Sequence, residues 1–322
     1  MVRWFKYTRA FFRLIRFRNL LIIAATMYLL RWFVVLPVLN ATAFIPTLNT
    51  LYFNLLVLAT LCIAGGGYVI NDYFDRKADL INRPGRVILG RILSQRTGMV
   101  WHIVLNIVGV ALGLLVAYKA GSLKLGIIFI LMSGLLWFYS TTYKQQVLLG
   151  NVMVAFMVAS VPLLIVLFEL PSLLNRYRYF LQADSANLNV MVAWIGVYAA
   201  FAFLLTLIRE IVKDLEDFEG DFAFGRQTIP IAWGPDTART IVILLTSISL
   251  LLVLAAMAVY LSGIVSILYT ITAVLLPLGF FLFAFYKAAG KNEYHKASFL
   301  LKITMLGGLG YIVVARFFVF YF

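Results

Sequence analysis

Two acidic segments carry polar side chains at helical spacing, and this spacing suggests metal-binding chemistry. The side chains are Asn71, Asp75 and Asp79, the first acidic motif, and Asp214, Asp217 and Asp221, the second acidic motif. The first set recurs at every fourth position and the second at i, i+3 and i+7, so each set is expected along one face of a helix. Carboxylates this close repel each other unless a cation offsets the repulsion. Mg²⁺ is the natural candidate, because it prefers oxygen ligands and is usually shared between a few carboxylates and phosphates.

The acidic residues of the whole chain are concentrated in these two segments. Eight of the 13 Asp and Glu residues lie within 72–79 or 214–221. The alternative is that they are only the polar ends of membrane helices. Charges near hydrocarbon are costly, and their concentration therefore favours a functional site.

The rest of the chain is strongly apolar. Of its 322 residues, 63% are hydrophobic and 12% are charged, and the mean hydropathy is +0.98. Apolar runs of about 20 residues without alternation predict membrane-spanning helices rather than a barrel. Nine spans are predicted, near residues 20–39, 51–69, 100–118, 125–139, 147–168, 192–211, 241–261, 265–286 and 303–322. We therefore expect an all-α membrane protein that forms one domain over residues 1–322.

The formal net charge of +14 follows the positive-inside rule. With a cytoplasmic N-terminus, only Lys119, Lys124, Arg176 and Arg178 fall on the outer side among the basic residues outside the spans. Nine spans place the C-terminus on the opposite side, and the four spans between the two acidic motifs place both motifs at the cytoplasmic face. The basic charge thus indicates topology and contact with membrane lipids, not binding of nucleic acid. The N-terminus lacks a small-residue cleavage site and is interpreted as a retained signal anchor.

Cysteine and histidine are too scarce for redox or zinc chemistry. Cys62 is the single cysteine, and His102 and His295 are far apart in the chain. These counts exclude a disulfide framework and a histidine metal site.

Arginines follow both acidic motifs. Arg83, Arg86 and Arg91 follow the first motif, and Arg226 follows the second. Guanidinium groups bind phosphate oxygens in bidentate geometry. A head group held by Mg²⁺ and arginine, with a tail inside an apolar bundle, describes an amphipathic lipid diphosphate. The spacing alone does not narrow the ligand further.

The two motifs resemble the paired signature of the UbiA superfamily of intramembrane prenyltransferases. The resemblance rests on Asn71-xxx-Asp75-xxx-Asp79 together with Asp217-xxx-Asp221. Similar stretches extend it over most of the chain, namely Asn82-Arg83-Pro84, Gly90-Arg91, Tyr139-Ser140, Lys144, Gly150-Asn151 and residues 217–230. The resemblance implies a bundle of nine transmembrane helices with a cytoplasmic cap that carries both motifs. It also implies Mg²⁺-dependent transfer of a prenyl group from a polyprenyl diphosphate to a lipophilic acceptor in the membrane.

The resemblance further implies roles for individual residues. The positions that match metal-diphosphate ligands are Asn71, Asp75, Asp79, Asp214, Asp217 and Asp221, and those that match diphosphate contacts are Arg83, Arg86, Arg91 and Lys144. Asp75 and Asp217 are expected to be essential for catalysis, and Tyr139 is a candidate to stabilise an allylic cation with its ring. The chain departs from the family pattern between Arg86 and Arg91, where it is one residue shorter and lacks the family's prolines.

The acceptor is open between two classes. Residues 209–221 are most similar to family members that prenylate geranylgeranylglycerol phosphate. Members with aromatic acceptors of the 4-hydroxybenzoate or dihydroxynaphthoate type can have a similar sequence in this segment. A phosphate-bearing acceptor requires further basic groups, and Lys213, Arg226 and Lys296 are available. A cation-coupled transporter is a more remote alternative, because transporter sites lie near the midplane whereas these acidic residues lie at span ends.

Overall fold

The computed structural model of the protein describes residues 2–41, 44–177, 181–261 and 263–318. Within these ranges the regular elements are helices. The structure describes no β-strand there, only an isolated β-bridge between Leu89 and Leu93. The helices are α1 (Val2–Leu14), α2 (Phe17–Leu30), α3 (Leu36–Ala41), α4 (Thr50–Asn82), α5 (Gln95–Lys119), α6 (Ile127–Thr141), α7 (Leu149–Arg176), α8 (Leu181–Glu216), α9 (Phe218–Ala223), α10 (Ile229–Ala232), α11 (Pro235–Tyr260), α12 (Ile264–Thr270), α13 (Leu276–Lys287) and α14 (Lys291–Phe318). Two π-helical segments, Arg31–Val35 and Ile271–Leu275, join α2 to α3 and α12 to α13.

Nine helical runs in the described part of the chain are long and apolar enough to cross a membrane. They are Phe17–Ala41, Thr50–Asn82, Gln95–Lys119, Leu123–Thr141, Leu149–Arg176, Leu188–Glu216, Pro235–Tyr260, Ile264–Lys287 and Lys291–Phe317. Each run overlaps one predicted span, although the last residues of the ninth prediction, 319–322, lie outside the described residues. The expected fold is confirmed, and the chain is an integral, multi-pass membrane protein.

The span that carries the first acidic motif extends beyond its apolar part. Asn49 caps the start of α4 by accepting a hydrogen bond of 3.0 Å from the backbone N–H of Tyr52. From there α4 continues without a break through the motif to Asn82. The helix therefore carries the motif beyond the end of the apolar run.

The described residues form two compact units. The first unit comprises Met1–Met27, Ile45–Lys144 and Leu164–Ala183, and the second comprises Tyr28–Phe44, Gln145–Leu163 and Asp184–Phe322. Each unit carries one acidic motif. The single domain expected over residues 1–322 stays a prediction.

In the first unit, glycine allows α4 to approach α5 closely. A Cβ on Gly66 would lie 2.5 Å from Nδ2 of Asn106. The carbonyl oxygen of Gly66 lies 2.9 Å from Nδ1 of buried His102, and Ser133 of α6 donates a hydrogen bond of 2.6 Å to Oδ1 of Asn106. Glycine at this position therefore serves helix packing, with a buried polar network filling the contact.

The loop that precedes α4 is fastened to the end of α7. The fully buried carboxylate of Glu169 accepts hydrogen bonds from the hydroxyl (2.8 Å) and the backbone N–H of Thr47. The hydroxyl of Tyr177 accepts a hydrogen bond of 3.0 Å from the N–H of Ile45. These contacts hold the loop that leads into the start of α4.

The second unit is built on a continuous apolar core. Ile208 of α8 and Phe281 of α13 are completely buried in it. Near the start of α11, Arg239 donates hydrogen bonds to the carbonyl of Tyr286 (2.8 Å) and the hydroxyl of Tyr294 (3.0 Å). Arg239 thereby ties α11 to the turn that leads from α13 into α14.

Candidate active site

The first acidic motif lies in the last turns of α4, on one continuous helix as its spacing predicts. Asp75 is only 5% exposed, and its Oδ2 accepts a hydrogen bond of 2.8 Å from Nδ2 of Asn71. The ammonium of Lys144 forms an ion pair with the same carboxylate and donates a hydrogen bond of 3.1 Å to Oδ1 of Asn71. Lys144 thus bridges two oxygen-bearing groups of the motif and compensates a buried negative charge.

Asp79 stands at the open end of the same helix. It lies one turn beyond Asp75 and is partly exposed. Its backbone carbonyl accepts the N–H of Arg83 at 2.8 Å, which ends α4. Asp79 therefore lies in the last turn of α4.

Asp72, which the sequence does not single out as a site residue, pairs with Arg16. Nη2 of Arg16 lies 2.8 Å from Oδ1 of Asp72, and the guanidinium lies 4.9 Å from the ring centre of Tyr68. Burial lowers the pKa of Arg16, but the attraction of Asp72, Tyr68 and Asp75 and the hydrogen bond to Asp72 together outweigh it, so the pKa lies above its usual value. Spacing along α4 cannot reveal this pair, because its members are 56 positions apart.

The three arginines that follow the first motif occupy a tight loop. Arg83 is the C-cap residue of α4, and a 3₁₀ turn spans Pro84–Arg86. The guanidinium of Arg91 donates a hydrogen bond of 2.6 Å to the carbonyl of Pro84, so it closes the loop. The side chain of Arg86 lies outside the described residues. The diphosphate contacts expected of these arginines stay predictions.

Gly90 allows an additional arginine to lie against this loop. Its φ is +82°, and a Cβ there would lie 2.7 Å from Cζ of Arg76. The backbone conformation favours glycine, and the end of the Arg76 side chain occupies the space that a Cβ would take. The sequence alone does not show that Arg76 lies under Gly90.

The second acidic motif does not lie on one continuous helix, so that prediction is wrong. Helix α8 ends at Glu216, and Asp217 precedes α9 with φ −99° and ψ 11°. The N–H of Asp217 still bonds the carbonyl of Lys213 at 2.8 Å, and the N–H of Asp221 bonds the carbonyl of Asp217 at 3.1 Å. The break occurs where Asp217 and Gly220, both poor helix formers, lie close together.

Two motif carboxylates of the second unit hold polar partners. Nδ2 of Asn151 donates a hydrogen bond of 2.7 Å to Oδ2 of Asp214. Nη1 of Arg226 lies 2.9 Å from Oδ1 of Asp221, which is 4% exposed. Asn151 is not among the predicted site residues, although it belongs to a stretch on which the resemblance rests. Its amide is the signal that could have identified it as a positioning group.

The end of α8 carries further charge pairs. Glu210 accepts hydrogen bonds from Arg209 at 2.9 Å and from Lys213 at 2.7 Å. Glu216, which is 8% exposed, lies 3.0 Å from Nδ1 of His295 at the start of α14. The substrate contact expected of Lys213 stays a prediction, and the sequence gives no sign of the pairing of His295.

An aromatic side chain of α6 packs against the helix that carries the first motif. The ring of Trp137 packs edge-to-face with Phe74 of α4 at 5.9 Å between ring centres. Tyr139 lies two positions beyond Trp137 and is partly exposed. Its contact with an allylic cation stays a prediction. In the second unit, Lys296 is exposed near the start of α14.

Within the described residues, no group of three or more His, Cys, Asp or Glu side chains is arranged to hold a metal ion by itself. In the first motif, however, oxygens of Asn71 and Asp75 both contact the ammonium of Lys144. Mg²⁺ commonly takes one or two carboxylates and completes its coordination with water and substrate phosphates. The donor set therefore fits an Mg²⁺ ion that shares its coordination with a diphosphate.

Comparison with known proteins identifies the family. The UbiA prenyltransferase family matches residues 32–306. A digeranylgeranylglyceryl phosphate synthase of Methanosphaera stadtmanae is 31% identical over 257 residues, which cover 78% of this chain and 84% of the relative. This match spans most of both proteins.

Solved structures share the fold. A structure of digeranylgeranylglyceryl phosphate synthase in membranes matches with a TM-score of 0.60 at 23% identity, covering 98% of this chain and 99% of that chain. A UbiA homologue from Archaeoglobus fulgidus, bound to DMAPP and Mg²⁺, matches with a TM-score of 0.51 at 16% identity, covering 94% and 99%. With the sequence matches, these findings show that the chain belongs to the UbiA prenyltransferase family of integral membrane enzymes.

Proposed function

We propose that the protein transfers a geranylgeranyl group from its diphosphate to the hydroxyl of geranylgeranylglyceryl phosphate within the membrane. The prenyl donor class follows from the family. The acceptor is inferred from the Methanosphaera stadtmanae relative, which carries the name digeranylgeranylglyceryl phosphate synthase. Basic groups in the second unit support the same acceptor.

One observation carries the proposal: each acidic motif already holds a cation of the kind that binds phosphate. Lys144 pairs with Asp75 in the first unit, and Arg226 pairs with Asp221 in the second. These pairs can exchange partners when Mg²⁺ and a diphosphate bind together. In that state the carboxylate would hold the metal, and the ammonium or guanidinium would bind phosphate oxygens through charge-assisted hydrogen bonds.

Mg²⁺ is the proposed cofactor. The oxygens that would hold it belong to Asn71, Asp75 and Asp79 in the first unit and to Asp214, Asp217 and Asp221 in the second. Bound Mg²⁺ supplies positive charge that compensates the leaving diphosphate. The Archaeoglobus fulgidus homologue, solved with DMAPP and Mg²⁺, supports this requirement.

The transfer exchanges one carbon–oxygen bond for another. The allylic C–O bond breaks, and both electrons leave with the diphosphate. The acceptor hydroxyl donates a lone pair to the allylic carbon and forms an ether, and its proton passes to the departing diphosphate. In the first unit, Lys144 would stabilise the leaving group, and the ring of Tyr139 would stabilise the allylic cation. The apolar spans exclude water, which would otherwise capture that cation.

The acceptor phosphate needs positive charge beyond that used for the donor. In the second unit, Arg209 and Lys213 both contact the carboxylate of Glu210 and are available as cations. Lys296 is exposed in the same unit. A neutral phenolic acceptor would require none of these cations.

We further propose that the N-terminus and the active site face the cytoplasm and that the C-terminus lies on the opposite side. The distribution of Lys and Arg supports this orientation. Single cysteines at positions 85 and 124, in a Cys62→Ser background, test it in sealed inside-out vesicles. A membrane-impermeant maleimide should label Gly85→Cys and spare Lys124→Cys, and the reverse pattern would show the opposite orientation.

The activity test uses purified protein in lipid nanodiscs with Mg²⁺ and labelled geranylgeranyl diphosphate. Geranylgeranylglyceryl phosphate, 4-hydroxybenzoate and dihydroxynaphthoate are offered as separate acceptors. We expect mass spectrometry to detect the glyceryl ether product, and we expect diphosphate to be released. Efficient prenylation of an aromatic acceptor alone would reject the proposed acceptor and leave the prenyltransferase assignment standing.

A further inference from the structure

Basic and aromatic side chains share the exposed side of α1, the short helix that precedes the first span. Lys6, Arg9 and Arg13 recur at i, i+3 and i+7, and all three are exposed. Phe5 and Phe12 lie beside them on the helix surface and are 66% and 44% exposed. We call these five residues the α1 stripe. No acidic residue precedes position 72, so nothing within α1 compensates its charge.

The opposite side of α1 packs against elements that carry the first acidic motif. Ala10 and Leu14 are buried in one cluster with Val69 of α4. Ile88 and Leu89, from the arginine loop after α4, belong to the same cluster. Helix α1 thus packs against both α4 and the loop that follows it.

A polar contact joins the corner after α1 to the acidic segment. Arg16 stands between α1 and α2 with φ +50°, in the left-handed region that non-glycine residues rarely adopt. Its guanidinium holds Asp72, the neighbour of Asn71 in the first motif. Tertiary contacts therefore maintain a strained corner, and the corner links α1 to the motif.

The location of α1 places the stripe at the membrane surface. The first span begins at Phe17, three residues after the end of α1. The rings of Phe12 and Phe17 pack edge-to-face at 5.2 Å between centres. The exposed aromatic residues thus lie where the chain enters hydrocarbon, with the basic residues beside them.

We propose that the α1 stripe binds anionic phospholipid headgroups of the adjoining leaflet and that this contact steadies the first acidic motif through Arg16 and Asp72. Helices with basic and aromatic residues on the exposed side lie in the interface and are attracted to anionic lipid. Phe5 and Phe12 enter the acyl boundary, while Lys6, Arg9 and Arg13 bind phosphate groups. The proposed lipid binding does not depend on the proposed function. The expected effect of lipid on the KM for the prenyl diphosphate does rest on that function.

The first experiment measures lipid selectivity without any need for turnover. Full-length protein is placed in phosphatidylcholine nanodiscs with spin-labelled phosphatidylglycerol or spin-labelled phosphatidylcholine, and the immobilised fraction is measured. We expect the triple variant K6Q/R9Q/R13Q to lose several-fold in selectivity for phosphatidylglycerol. The charge-preserving variant K6R/R9K/R13K should keep it.

A matched variant controls for loss of charge. K119Q/K124Q/R176Q also removes three cations of the first unit, all distant from α1 in sequence, and should change selectivity less than K6Q/R9Q/R13Q does. Equal selectivity in wild type and K6Q/R9Q/R13Q overturns the proposal. Loss in K6R/R9K/R13K overturns it as well, because positive charge would then not be the cause.

The second experiment tests the link to the motif. The KM for geranylgeranyl diphosphate is measured in nanodiscs with and without phosphatidylglycerol. We expect wild type to show a lower KM with the anionic lipid, and Arg16→Gln to keep lipid selectivity but lose this response. A response that persists in Arg16→Gln overturns the link, whereas absence of all prenyl transfer rejects the proposed function and leaves the lipid result intact.

Discussion

Arg226 and Asp221 form an ion pair in which Nη1 and Oδ1 are 2.9 Å apart and both side chains are largely buried. The sequence predicts that one partner binds substrate and that the other binds metal. The same arrangement recurs in the first unit, where Lys144 holds Asp75. Each motif thus compensates a buried carboxylate with a cation that can later serve the diphosphate.

Removing the guanidinium of this pair should reduce both stability and turnover. In Arg226→Gln, Asp221 keeps its burial but loses its counter-charge, which typically costs about 3 kcal/mol. We expect a lower Tm in detergent and a fall in kcat. Arg226→Lys retains the charge and should recover more of the Tm than of the activity, since lysine cannot bind bidentately. An unchanged Tm in Arg226→Gln would contradict the structural role of the pair.

Neutralising a central carboxylate should abolish most catalysis while the bundle still forms. Asp75→Asn and Asp217→Asn keep side-chain size and remove the charge that binds metal. We expect kcat to fall roughly a hundredfold or more in each variant. Asp236→Asn, at an exposed acidic residue of α11, is the matched control and should retain activity. Turnover at the wild-type rate in both motif variants would contradict the proposed active site.

Lys144 should compete with Mg²⁺ for the first motif when diphosphate is absent. Its ammonium occupies the oxygens of Asn71 and Asp75. Lys144→Gln should therefore bind Mg²⁺ more tightly than wild type, measured by calorimetry without substrate, and yet turn over more slowly. Weaker Mg²⁺ binding in Lys144→Gln would show that the lysine supports the metal rather than competes with it.

Crowding at the α4 and α5 contact should make Gly66→Ala destabilising. The new methyl would meet Asn106 at 2.5 Å and displace a residue that also bonds the carbonyl of His102. Overpacking of this kind costs about 1–3 kcal/mol, so Tm should fall. Gly134→Ala is the control on α6, where no atom lies within 4 Å of the place that the new methyl would take, and its Tm should be equal or higher.

Loss of Lys213 should affect the acceptor more than the donor. Its ammonium shares Glu210 with Arg209, and Glu210 lies outside the second acidic motif. We expect Lys213→Gln to raise the KM for geranylgeranylglyceryl phosphate more than that for the diphosphate donor. An equal rise in both constants would place Lys213 with the donor instead.

The sequence by itself determined the membrane class, the nine spans and the helical spacing of the first motif. These properties are local: an apolar run of sufficient length must form helix in hydrocarbon, where every backbone group needs an internal partner. Spacing at every fourth residue then suffices to align Asn71, Asp75 and Asp79 on α4.

The helix break at Asp217 shows where local spacing stops being reliable. A regular i, i+3, i+7 pattern predicts one stripe, but the backbone ends α8 before the pattern is complete. Spacing records where side chains would lie if a helix continued. The spacing of the acidic residues does not show whether the helix continues past poor helix formers.

Only the tertiary structure decided which polar and charged groups meet. Lys144 reaches Asp75 across 69 positions, and Asn151 reaches Asp214 across 63. Arg16 reaches Asp72 in the same way. Such pairs depend on how helices pack and on where each helix begins and ends, and single-residue propensities carry no information about either. Buried charges need partners wherever they lie, and the fold determines which partner is within reach.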